Sequence, residues 1–269
     1  IYALPGVPFE LKWLFDNELL PYLRKRFSLS ETIFFKVLKV AEIGESSVDD
    51  RIGHLIAGSS NPTVGVLAHP GQVDVRIAAK AADTEDARRL IAPVEDEVRK
   101  LLGRHVFAAD DETMEDAVGR LLGDRSKTIA VFEDLTGGLV AERLQQASVD
   151  YFVQGTVGNS PAAVRSLLAR SGRSDGIEEL IDDPASLTDE LARAVRADAG
   201  SDLGLALHAI SNPEEQAENL ARGQTFISIT DGSGLKNRTY AYGGRGRPDR
   251  TRMSLNAIEL VRIALLEGI

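Results

Sequence analysis

The chain has 269 residues and a formal net charge of -10, with 43% hydrophobic and 27% charged residues. That length suits two domains, and no apolar run of about 18 residues offers a membrane span. The acidic balance argues against nucleic acid as a partner, and the absence of cysteine excludes disulfides and thiolate chemistry and fits a reducing cytoplasm.

Ile1-Tyr2-Ala3-Leu4-Pro5 has no basic region followed by an apolar stretch, so no signal peptide is read there. The sequence starts without Met and reads as a fragment of a longer protein. Pro8 to Arg26 carries Leu11, Leu14, Phe15, Leu19, Tyr22 and Leu23 near helical spacing, which predicts one or two short helices with a break or kink at Pro21. Phe27 to Glu31 is a short polar joint. Ile33–Ala41 is rich in β-branched and aromatic residues and predicts a strand. Gly44 ends it, and Ser46 or Ser47 can cap a helix carrying Val48, Ile52, Leu55 and Ile56. Thr63–Leu67 and Gln72–Ala78 read as two strands joined by the turn His69-Pro70-Gly71. A charged helix follows over about Asp83–Leu102 with Pro93 inside it, then a strand at His105–Phe107 and a helix near Thr113–Leu122. The order β-α-β-β-α-β describes a small α+β unit.

Gly123-Asp124-Arg125-Ser126 reads as a polar break. Beyond it, strands are expected at Thr128–Phe132, Tyr151–Val157, Leu203–Ile210, Thr225–Thr230 and Arg238–Tyr242. Helices are expected from Thr136-Gly137-Gly138 to about Gln146, at Pro161–Ala169, at Thr188–Ala197 and at Arg250–Leu266. This alternation predicts a three-layer α/β domain. His54, His69, His105 and His208 lie far apart, none at helical ligand spacing, so no metal site is expected.

Three segments, in order, resemble the CinA family. Leu4-Pro5-Gly6-Val7-Pro8-Phe9-Glu10 resembles the PGxPxE signature near the end of that family's N-terminal, molybdopterin-binding-like domain, which is associated with ADP-ribose pyrophosphatase activity. The β-α-β-β-α-β unit is similar to its KH-like middle domain. Glu133-Asp134-Leu135-Thr136-Gly137-Gly138 resembles the ESCTGG signature of its C-terminal domain, a nicotinamide mononucleotide deamidase. The resemblance implies three parts: residues 1–28 as the remnant of the first domain, 29–123 as the KH-like domain and 124–269 as the amidase-like domain. It also implies a homodimer, a pyridine nucleotide as ligand and no cofactor.

The departures from the family concern its chemistry. The family's nucleophilic serine aligns with Asp134, and its lysine base, in a segment resembling YSNEAK, aligns with Val164, with Asn159 at the tyrosine. The family's TGIAGP loop appears as His208-Ala209-Ile210-Ser211-Asn212-Pro213. An acyl-enzyme route needs a nucleophile and a base within about 3 Å of it. A carboxylate and an aliphatic side chain supply neither, so the expectation is a degenerate, inactive amidase domain serving as a structural or nucleotide-sensing module.

The alternative is an active amidohydrolase using Thr136 or Ser160, although Thr136 also reads as a turn or cap residue. Lys127 lies seven positions before Asp134, roughly 20 Å along an extended strand, and Arg165 is a guanidinium that stays protonated. Thr136, Gly137 and Gly138 at a helix start are the expected anion-binding residues. Arg250, from the cluster Arg245, Arg247, Arg250 and Arg252, is the expected phosphate contact, or else pairs with a core carboxylate. The KH-like turn Gly44-Glu45-Ser46-Ser47 has one glycine and a carboxylate where GXXG loops grip phosphate, so RNA binding is not expected.

Overall fold

The computed structural model describes residues 2–27, 31–58, 60–173, 175–211 and 223–269. Most of the joint at 27–31, and Asn212 and Pro213 of the TGIAGP-like loop, lie outside them. The chain divides into two compact units: Ile1–Leu38, Glu45–Leu67 and Asp74–Gly103 form one, and Lys39–Gly44, Ala68–Val73 and Arg104–Ile269 the other.

The first segment is helical throughout, as α1 (Pro8–Leu14), a π-helical turn (Phe15–Leu19) and α2 (Leu20–Phe27). The break expected at Pro21 does not occur. A wider π turn just ahead of a proline accommodates its missing N–H without ending the helix. Next come β1 (Thr32–Val40), α3 (Glu45–Gly58), β2 (Thr63–His69), β3 (Gln72–Ala81), α4 (Thr84–Leu102) and β4 (Val106–Ala109), the expected β-α-β-β-α-β order. Their four strands are ordered β2-β3-β1-β4. Helix α3 starts directly after Gly44, one residue before the serines expected to cap it. Helix α4 runs through Pro93 and is N-capped by Asp83, whose side chain accepts from the Asp86 N–H.

Helix α5 (Met114–Arg125) opens with a capping box between Thr113 and Asp116. Gly123–Ser126, which reads in sequence as a domain break, is its C-terminus, closed by left-handed Ser126. The remaining elements are β5 (Ile129–Glu133), α6 (Leu139–Ala147), β6 (Phe152–Val157), α7 (Pro161–Arg170), α8 (Ile177–Ile181), α9 (Pro184–Ala199), β7 (Leu203–Ser211), β8 (Gly223–Thr230), β9 (Leu235–Tyr240) and α10 (Arg247–Glu267). The sheet order is β6-β5-β7-β8-β9, with β5 parallel to β6 and β7, and β8 and β9 antiparallel.

Both faces of this sheet are covered, which makes the three layers. Side chains alternate along a strand, and β5 is apolar on both sides over its first four residues. Ile129 and Val131 join Met114, Val118, Leu122, Val140, Leu144, Met253 and Val261 from α5, α6 and α10. Ala130 and Phe132 join Leu167, Leu168, Leu191 and Val195 from α7 and α9.

Candidate functional site

The same alternation continues past the end of β5 and separates two adjacent acids. Glu133 turns toward α6 and Asp134 toward the α7–α9 side. Glu133 is fully buried and is held by three donors. Its Oε2 accepts the Thr136 hydroxyl at 2.5 Å and the Val140 N–H at 3.1 Å, and its Oε1 accepts the Ala141 N–H at 2.9 Å. It therefore occupies the N-terminus of α6, where free N–H groups and the helix dipole favour a negative charge.

Between strand and helix, Gly137 and Gly138 both take positive φ, 65° and 97°. A Cβ on Gly137 would lie 2.9 Å from Arg250 Nη2, so glycine is needed there for conformation and for close approach. Arg250, in the first turn of α10, donates from Nε to the Thr136 carbonyl at 2.9 Å and also from Nη2 to the same oxygen. It meets a backbone carbonyl, not the core carboxylate considered from sequence.

Asp134 is buried and fully engaged. Its Oδ1 accepts N–H groups from Leu135 at 2.5 Å and Ala209 at 3.1 Å. Its Oδ2 lies 2.6 Å from His208 Nδ1. His208 reaches it because β7 runs parallel to β5 with Glu133 opposite Leu207, which places residue 208 beside residue 134. The imidazole is stacked on Phe226, ring centroids 6.3 Å apart.

These groups sit at the carboxyl ends of three parallel strands, the general location of ligand sites in open α/β sheets. They open onto a cavity of about 680 Å³. Asp134, Gly137, His208 and Arg250 line it, with Asn159, Ser160 and Val164 from the start of α7, and Arg245. Leu135, Ile181 and Leu187 supply apolar wall. Arg245 is exposed and has no partner among the described residues.

The structure thus brings Asp134, Gly137, Val164 and Arg250 to one cavity. Thr136 is buried, with its hydroxyl turned to Glu133, and is not among the lining residues; neither is Gly138, the N-cap of α6. Ser160 caps α7, its oxygen accepting the Ala163 N–H at 3.2 Å. Arg252 lies over the Tyr242 ring, 4.2 Å from its centroid. Lys127 sits at the other end of β5, facing Asp202 at 3.5 Å. Arg165 pairs with Glu178. Among the described residues no group of three His, Asp or Glu side chains is placed to hold a metal ion.

Sequence reasoning placed His208 in the TGIAGP-like segment without giving it a role in the site, and passed over the capping role of Glu133. The available signal for His208 was its place in β7: it alternates with Leu207 and Ala209, which pack in the other core, so its side chain faces Asp134.

Two family descriptions match the chain: the damage-inducible protein CinA KH domain over residues 35–108 and the CinA C-terminal domain over residues 111–265. The chain belongs to the CinA family. A CinA-like protein from Acaryochloris marina is 33% identical over 99% of this chain and 64% of its own length. A protein of Moorella thermoacetica described as competence-damage inducible is 38% identical over 85% of this chain and 55% of its own length. The chain therefore spans more than half but less than two-thirds of the length of these CinA relatives. A crystal structure of a competence-damaged protein (CinA) superfamily member from Klebsiella pneumoniae covers 57% of this chain and 96% of its own, with 20% identity and a TM-score of 0.48.

Proposed function

We propose that the C-terminal unit is a nucleotide-sensing module that binds a pyridine nucleotide and does not run acyl-enzyme amide hydrolysis. The observation that carries this reading is the shared cavity of Asp134 and Val164, the two positions aligned with the family's serine and lysine. A carboxylate already accepting three hydrogen bonds is a poor nucleophile, and a valine cannot take a proton. The cavity keeps what a mononucleotide needs: apolar wall for a ring and the cations of Arg245 and Arg250 for a phosphate.

The rival reading, an active amidohydrolase with Thr136 or Ser160 as nucleophile, is weakened because the first hydroxyl is committed to Glu133 and the second oxygen caps α7. The family also carries the proposal of a homodimer, which sedimentation velocity tests. For the function itself, the experiment is calorimetric titration with nicotinamide mononucleotide, run beside an ammonia-release assay. Saturable binding without turnover is expected. Sustained ammonia release, or no binding, would sink the reading.

A further inference from the structure

We infer that strand β2 is where two copies of the chain meet: it pairs antiparallel with β2 of a second copy, and each Leu67 fills the hollow over the other copy's Gly65. The inference rests on the homodimer proposed above, goes beyond it by assigning the contact, and is independent of the nucleotide reading.

A strand at the edge of a sheet carries N–H and C=O groups that no neighbouring strand takes on its outer side, so its residues either block or invite another strand. Among the described residues the two sheets have four edges, β2, β4, β6 and β9. Strand β9 carries Lys236 and Arg238, charges of the kind that keep edges apart, and β4 is only four residues long. Strand β6 is uncharged, but the space over its Gly155 is taken: a Cβ there would lie 2.6 Å from the Ala141 Cβ. Strand β2 differs from all three. Its seven residues, Thr63 to His69, include no proline and no Asp, Glu, Lys or Arg. In a chain of net charge -10, such a neutral strip is where two copies approach with least repulsion.

The shape of the strand selects a second copy as its occupant. Alternate residues face one side, so Gly65 and Leu67 share the face turned away from buried Val64. Leu67 is 58% exposed, and a Cβ on Gly65 would meet nothing within 4 Å. The hollow there has a volume of about 220 Å³, and Val37, Asp74 and Arg76 line it with Gly65 and Leu67. One strand thus carries a knob and a hole two residues apart. When two such strands run antiparallel about a two-fold axis at Val66, each Leu67 lies opposite the other copy's Gly65. Directly opposed Cβ positions are about 5 Å apart, close enough for a leucine to lie across a bare glycine. The contact is made twice by symmetry, as an isologous interface requires.

The test is sedimentation velocity of the whole chain over a range of concentrations, in wild type and three variants. Wild type should dimerise. Leu67→Glu puts two like charges at the contact, and Gly65→Leu fills the hole; each should raise the dimer dissociation constant by at least about tenfold. The exchange Gly65→Leu with Leu67→Gly moves knob and hole to each other's places, and should bring the constant back to within about threefold of wild type.

A monomeric wild type would overturn the homodimer and this inference together. A dimer unaffected by Leu67→Glu, or a folded exchange variant no tighter than Gly65→Leu, would overturn the assignment to β2 and leave a homodimer built on another surface. Should Leu67→Glu or the exchange variant fail to fold, as judged by circular dichroism, Gly65→Leu decides alone, since its new side chain enters open space within one copy: unaltered self-association there overturns the assignment.

Discussion

Glu133 shows how much a single side chain can hold when three donors converge on it. Replacing it with alanine would leave the Thr136 hydroxyl and the Val140 and Ala141 N–H groups buried without their acceptor. Glu133→Ala is expected to cost about 3 kcal/mol in urea denaturation, whereas Thr136→Ala, which removes one donor with its hydrogen bond, should cost nearer 1 kcal/mol. At Gly137, φ is 65° and Arg250 stands against the missing side chain. Gly137→Ala should therefore destabilise by about 1–2 kcal/mol, and it should weaken nucleotide binding in the same titrations, because Arg250 must move. The sequence exposes the motif Glu133–Gly138 readily, yet matching a motif says nothing of which way each residue points. Residue 133 was legible as part of a signature and illegible as a cap.

Two arrangements belong to the scale of elements: one joins the starts of two neighbouring strands, the other is a buried ion pair within a single helix. Asp202 ties the start of β7 to the start of β5, accepting the Thr128 N–H at 2.9 Å and its hydroxyl at 2.8 Å. These bonds, the backbone one foremost, hold its carboxyl below the usual range. A folded-state pKa lowered in this way contributes stability above the unfolded value near 3.9, and the contribution is lost as pH falls through the lower folded value. Asp202→Asn should thus cost stability at neutral pH, about 1 kcal/mol or less once solvent screening is allowed for, a gap that closes as pH falls through the lowered folded value. Urea denaturation across pH checks it.

On α10, Glu259 is buried and receives Arg262 through both carboxylate oxygens, at 2.7 and 2.6 Å. Burial pushes Glu259 upward and Arg262 opposes that shift. Arg262→Met would strand the carboxylate, at about 3–5 kcal/mol near pH 7. A raised folded pKa contributes stability below the unfolded value and loses it as pH rises, so this cost should shrink as pH is lowered toward about 4. Neither arrangement is visible in sequence: Glu259 and Arg262 are three apart on a helix, which reads equally well as a solvated pair.

For the whole molecule, the alternation of strands and helices was enough to foretell two architectures, the β-α-β-β-α-β unit and the covered α/β sheet. It could not foretell the order β6-β5-β7-β8-β9, which depends on crossovers. The residues of the cavity were recoverable to the extent that they fell near a motif or an aligned segment, as Asp134, Gly137, Val164 and Arg250 did. His208 also fell in an aligned segment, but its pairing with Asp134 was not legible, because that contact spans 74 positions and exists only through the register of two parallel strands. The overall charge of -10 bears on partners at this scale. Electrophoretic retardation with single-stranded DNA or RNA should show no shift even at low salt, because phosphate contacts would have to overcome that field.

The opposed orientation of Glu133 and Asp134 has a consequence for how such a domain can change. One acid fastens the turn from behind, while the other looks out on the cavity, so scaffold and pocket lining are assigned to opposite sides of one strand. Substitutions on the outward side can therefore rewrite what the pocket does while the turn keeps its shape. The converse change, Asp134→Ser together with Val164→Lys, would place a hydroxyl and an amine on that outward side of a framework that is already fastened.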